Sequence, residues 1–144
     1  MTLASCYHTL MRWLPLLALT LAAGCPVNNG GGGECQVDRQ CRDQVCARDG
    51  LCSDASDVRV VKATWTINGA PPDAASCTSD LYIRFESGDP ADSIGFSPVP
   101  CTIGQYTIDK LPRRFLSVEL GVEGGTRDVS TIDATGNATL DLAL

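Results

Sequence analysis

In Val58-Arg-Val-Val-Lys-Ala-Thr-Trp-Thr-Ile67, β-branched residues dominate, and Val61, Ala63, Trp65 and Ile67 occupy alternate positions. A period of two places these four apolar side chains on one face of an extended chain and their polar neighbours on the other, which predicts a strand with one buried face. Trp65 is in register with the apolar set, so it is expected in the core rather than on the surface as a ligand platform. Asn68-Gly69 follows at once and predicts a turn.

The same alternation recurs downstream in Leu81-Tyr-Ile-Arg-Phe85, Leu116-Ser-Val-Glu-Leu-Gly-Val122 and Ala138-Thr-Leu-Asp-Leu-Ala-Leu144. Shorter candidates lie at 94–99, 106–108 and 129–132, separated by Pro and Gly clusters. No stretch carries a sustained helical period. The expectation for residues 57–144 is therefore an all-β fold, an antiparallel β-sandwich of about seven strands.

Upstream the texture differs. Residues 34–54 hold Cys35, Cys41, Cys46 and Cys52 in the spacing C-x5-C-x4-C-x5-C, with Val37, Val45 and Leu51 as the only sizeable apolar residues between them. So little apolar surface does not hold about twenty residues in one shape without covalent help, which predicts a small disulfide-rich knob. Four cysteines allow three connectivities. Spacing does not select among them, and Cys35–Cys46 with Cys41–Cys52 is the working expectation. A tetrahedral zinc site is the competing use of four thiols, but the short C-x2-C clamps are missing, and no metal or other cofactor is expected. Asp38, Asp43 and Asp49 match no EF-hand spacing. Cys77 and Cys101 fall in loops of the sandwich and are expected to bond to each other.

Residues 1–24 place Arg12 before an apolar run from Trp13 to Ala23 that ends in small residues, the layout of a secretory signal peptide and too short to span a bilayer. Met11-Arg12 would also serve as a start. Asn28-Asn29 and Gly30 to Gly33 then form a flexible tether, giving 25–33 as anchor and tether. Of the eight cysteines, Cys6 would leave with the leader. Six of the others make three bridges, which leaves Cys25. An unpaired thiol in an oxidising compartment is a liability, and acylation removes it.

Three resemblances bear on identity. Leu21-Ala-Ala-Gly-Cys25 resembles the lipobox of bacterial lipoproteins, which implies a diacylated Cys25, a membrane anchor and a Gram-negative cell-envelope location. Pro26 in place of aspartate then implies outer-membrane sorting. The four-cysteine knob resembles the Dickkopf-type cysteine-rich repeat. Trp65-Thr-Ile-Asn-Gly69, Tyr106-Thr-Ile-Asp-Lys-Leu-Pro112 with the strand from Phe115, and Asp133-Ala-Thr-Gly-Asn-Ala-Thr-Leu-Asp-Leu142 resemble the transthyretin-like sandwiches, which include the carboxypeptidase regulatory domains. That likeness implies a fold and little about activity.

Chemistry is sparse. The single histidine, His8, lies in the leader, so the later residues lack the Ser-His and Cys-His pairs and the common zinc hydrolase sites. Gly30–Gly33 precedes no Lys-Ser/Thr and is no phosphate loop. Asp89 and Asp92 form a close acidic pair at a loop tip, where solvated acids are the plainer reading. Arg113-Arg114 is the one adjacent basic pair and the candidate for meeting a phosphate or a partner carboxylate. From Cys25 onward 10 Lys and Arg stand against 17 Asp and Glu, a net charge of −7, which argues against nucleic acid as a partner. The expectation is no enzyme but a lipid-anchored binding or structural module for an envelope protein or glycan. The alternative is an accessory domain for a separately encoded envelope hydrolase.

Overall fold

The computed structural model of the chain describes residues 34–144. The leader, Cys25 and the glycine tether lie outside the described residues. In the knob, β1 (Val45–Cys46) pairs with β2 (Cys52–Ser53). Seven longer strands follow: β3 (Val58–Ile67), β4 (Leu81–Glu86), β5 (Ser93–Val99), β6 (Gln105–Pro112), β7 (Ser117–Gly121), β8 (Arg127–Thr131) and β9 (Asn137–Leu142). They form a three-stranded sheet, β6-β3-β9, packed on a four-stranded sheet, β5-β4-β7-β8. The fold is an all-β sandwich preceded by a disulfide-rich region.

Strand alternation builds the core. Val61, Ala63, Trp65 and Ile67 of β3 are all buried and meet Leu81, Ile83 and Phe85 of β4, Val118 and Leu120 of β7, and Ala138, Leu140 and Leu142 of β9. Burial of these residues, each worth on the order of 1.5–3 kcal/mol for a large aliphatic or aromatic side chain, drives the two sheets together. Trp65 is 3 % exposed, and its Nε1–H donates to the Cys101 carbonyl at 2.9 Å. Trp65→Phe keeps an aromatic ring but leaves that carbonyl only the longer bond from the Gly104 N–H at 3.4 Å, so chemical denaturation should show a loss of about 1 kcal/mol. An unchanged midpoint would mean that water satisfies the carbonyl instead.

One pairing departs from the expected antiparallel order: β3 and β9 run parallel. The reason is parity. Each connection reverses the chain, so β6, three connections after β3, is antiparallel to it, whereas β9, six connections after, is parallel. Asp133 organises the entry to β9, its Oδ1 accepting from the backbone N–H groups of Thr135 and Asn137 at 2.8 and 2.9 Å. Gly136 has φ +87°, and a Cβ there would lie 2.3 Å from the Val60 carbonyl oxygen, so only glycine lets this turn lie against β3.

β6 is longer than its apolar alternation predicts because it contains a bulge. Arg59 pairs with Leu111 and Val61 with Ile108, leaving Asp109 and Lys110 opposite Val60, with Lys110 at φ +50°. A bulge re-aims the side chains it carries. Here both turn toward the knob.

Candidate functional site

The sandwich has two seams. At one, β8 and β9 are tied where the Asp141 N–H donates to Asp128 Oδ2 at 2.8 Å. At the other, β5 and β6 are edges of their respective sheets, unpaired among the described residues. Phe96 of β5 and Tyr106 of β6 occupy the gap, their ring centres 5.3 Å apart and their planes inclined by 37°. Phe85 backs them from the core, 6.5 Å from Phe96 and 6.4 Å from Tyr106. Both front rings are partly buried. Burial raises the Tyr106 pKa above the ordinary phenol value, with a smaller opposing pull from Arg48, so at neutral pH the hydroxyl keeps its proton and can donate.

In front of these rings lies an open groove of about 370 Å³, bounded by Phe96, Ser97, Pro98, Pro100, Ile103 and Tyr106. Ile103 forms an apolar rim, 50 % exposed. Among the described residues none that lines it is charged, in a chain that is 19 % charged. Two prolines fix the backbone of one wall, and the Cys77–Cys101 disulfide anchors its end, with Cα atoms 5.5 Å apart. The groove is concave, mostly apolar and edged by a few hydroxyls, the usual make-up of a small binding site.

The arginine pair sits elsewhere. Arg114 donates from Nε and Nη2 to Asp92 at 2.7 and 3.1 Å. Its Nη1 lies 2.8 Å from Asp49 Oδ2 in the knob, an ion pair whose angle is not that of a hydrogen bond. The guanidinium also covers the Phe115 ring at 4.7 Å. The bond to Asp92, then the pairing with Asp49, raises the Arg114 pKa, and the same bond lowers that of Asp92. Arg113 donates from Nε to the Ser56 carbonyl at 2.7 Å. Arg113 thus meets the segment that joins knob and sandwich, and Arg114 ties the knob to the β4–β5 loop.

That junction has further ties. Lys110 Nζ donates to both carboxylate oxygens of Asp38 at 2.7 Å, and Arg48 Nε donates to Asp109 Oδ1 at 2.8 Å. The Arg48 N–H donates to the Lys110 carbonyl at 3.1 Å. The bulge in β6 is what presents Asp109 and Lys110 to these partners. Lys110 chiefly lowers the Asp38 pKa, and Arg48 chiefly that of Asp109.

The cysteines are joined as Cys35–Cys46, Cys41–Cys52 and Cys77–Cys101. The sulfurs of Cys35, Cys41 and Cys52 lie within 4.8 Å of one another, the density a metal centre needs, but all three are taken up in disulfides and offer no thiolate. Asp89 accepts the Ala91 N–H at 2.9 Å while Asp92 holds Arg114, so each acid of the pair is engaged within the fold.

On the outer face of β7, Glu119 is 4 % exposed. The Tyr82 hydroxyl donates to its Oε1 at 2.9 Å, with Arg84 and Arg127 at 3.6 and 3.3 Å. Burial, then the bond to Glu119, raises the Tyr82 pKa. This network closes on itself: the buried charge is compensated by its own neighbours.

Together these features define a disulfide-stapled all-β protein with a neutral aromatic groove at its open seam. No protein-family model, no curated protein and no solved structure matches this chain. The groove escaped the sequence reading because Phe96 and Tyr106 lie in different short strands, and only the strand order makes them neighbours. The legible signal was compositional: Phe96-Ser-Pro-Val-Pro100 sets an aromatic residue beside two prolines, more rigidity than a plain loop requires.

Proposed function

We propose that the chain is a lipid-anchored protein of the Gram-negative cell envelope whose sandwich is a non-catalytic binding module, with the β5–β6 seam as its binding site. The observation that carries the reading is the neutral groove walled by Phe96 and Tyr106, a preformed concavity on an otherwise acidic surface. Three disulfides in 111 described residues suit an exported protein. The lipobox-like Leu21-Ala-Ala-Gly-Cys25 supplies the anchor, and the likeness to transthyretin-like sandwiches suits a module that binds rather than reacts. Arg113 and Arg114 support the module by fixing the knob to it.

The test is made in cells. The full chain is produced in a Gram-negative host with a photoreactive amino acid in place of Ile103, at the groove, or of Val129, 52 % exposed on β8. Irradiation should yield discrete adducts from position 103 and none from 129, and Cys25→Ser should move the protein out of the membrane fraction. Equal labelling at both positions would overturn the binding site. Unchanged fractionation of Cys25→Ser would overturn the anchor.

A further inference from the structure

We infer that the groove binds an uncharged polysaccharide, an inference that rests on the binding-module reading and specifies its ligand. Charge is the first argument. Every described residue lining the groove is neutral, so an ionic ligand would find no counter-charge among them, and an anionic one would also meet the negative charge of the chain as a whole. Shape and chemistry are the second. A pyranose ring presents C–H groups on its faces and hydroxyls around its edge. The Phe96 and Tyr106 rings, 5.3 Å apart, offer electron-rich faces for the former. The Tyr106 and Ser97 side chains, both lining the groove, offer hydroxyl partners for the latter.

The third argument concerns the competitor, an extended polypeptide added as a strand to the β5 edge. The Leu116 N–H donates to the Glu86 carbonyl at 2.9 Å, so Glu86 turns its backbone toward β7 and its β5 partner, Ser93, turns away from β4. By alternation Ser93 and Gly95 present free backbone groups at the edge. Beyond them Pro98 and Pro100 have no N–H to give, and Pro90 stands before them. A free edge that ends at Ser97 makes a short ladder, and proline is how natural sheets blunt an edge against strand addition. A saccharide needs acceptors and ring faces, which prolines do not remove.

The test uses the full-length chain purified from its host, titrated calorimetrically with uncharged hexaoses of β-1,4-glucose, α-1,4-glucose and β-1,4-N-acetylglucosamine. A hexauronate and a proline-rich decapeptide serve as comparisons. At least one uncharged hexaose should bind saturably, and the hexauronate at least tenfold more weakly. Tyr106→Ala should abolish binding. Ile103→Asp, a change at an exposed rim that leaves the core untouched, should weaken it tenfold or more with an unaltered unfolding midpoint. Absence of binding by all three hexaoses at millimolar concentration overturns the inference, as does preference for the peptide. If photo-adducts still form at position 103, the module reading survives with a protein as ligand. If they too are absent, both fall.

Discussion

Replacing Cys35, Cys41, Cys46 and Cys52 together by serine is expected to unfold residues 34–54 and leave the sandwich intact. The buried residues of this region are Cys35, Cys41, Cys46 and Ala47, whereas Val37 and Leu51 are 43 % and 41 % exposed. The core of the knob is therefore sulfur. Each bridge closes a loop between cysteines 11 apart, worth roughly 3 kcal/mol on the chain-entropy estimate. Cutting both bridges returns the lost conformational freedom to this segment, and it has almost no apolar burial of its own to oppose that. Without the bridges the balance favours disorder. Amide hydrogen exchange should show protection lost throughout 34–54 and kept in β3, β4 and β7. Retained protection in the knob would show that its docking, and not its disulfides, holds it.

The sandwich was legible because its signal is local. Val58–Ile67 shows its buried face in its own alternation, and the structure bounds that strand at the same residues. The bulge in β6 was not legible: Asp109-Lys110 reads as two polar residues ending a strand, and only the pairing partner shows that one extra residue is inserted. The parallel pairing of β3 and β9 was hidden for a related reason. Strand parity is countable from the sequence, but which strands become neighbours depends on packing across the whole core.

The arginine pair shows the same boundary from the side of the site. Two adjacent cations after a proline are visible in sequence, but their carboxylate partners are 65 and 22 residues away for Arg114, at Asp49 and Asp92. Sequence could therefore mark the charge without showing that it is already matched within the fold. Phe96 and Tyr106 present the converse case. Each looks like one more strand residue until two sheet edges bring their rings together.

Arg114→Ala is expected to destabilise the protein by about 2 kcal/mol and to loosen the knob. Asp49 is 8 % exposed at its side chain, and truncating its cation leaves a buried carboxylate whose remaining support is the Leu51 N–H at 3.0 Å. Breaking a fully buried pair costs about 3–5 kcal/mol. Arg114 is 42 % exposed, so solvent screening reduces that figure. Arg114→Lys should recover part of the loss, because an ammonium restores charge but does not reach Asp49 and Asp92 through separate nitrogens. Acid should act on the same junction. Asp38, Asp92 and Asp109 have pKa values lowered in the folded state, held down chiefly by Lys110, Arg114 and Arg48 in turn. Their contribution is therefore complete above the ordinary aspartate value, near pH 4, and is lost as pH falls through the folded values. Proteolysis between residues 54 and 57, followed across pH 7 to 3, should accelerate below about pH 4 in the wild type and be fast already at neutral pH in Arg114→Ala. A cleavage rate independent of both pH and Arg114 would mean that the covalent link, and not this ion-pair clamp, keeps the knob against the sandwich.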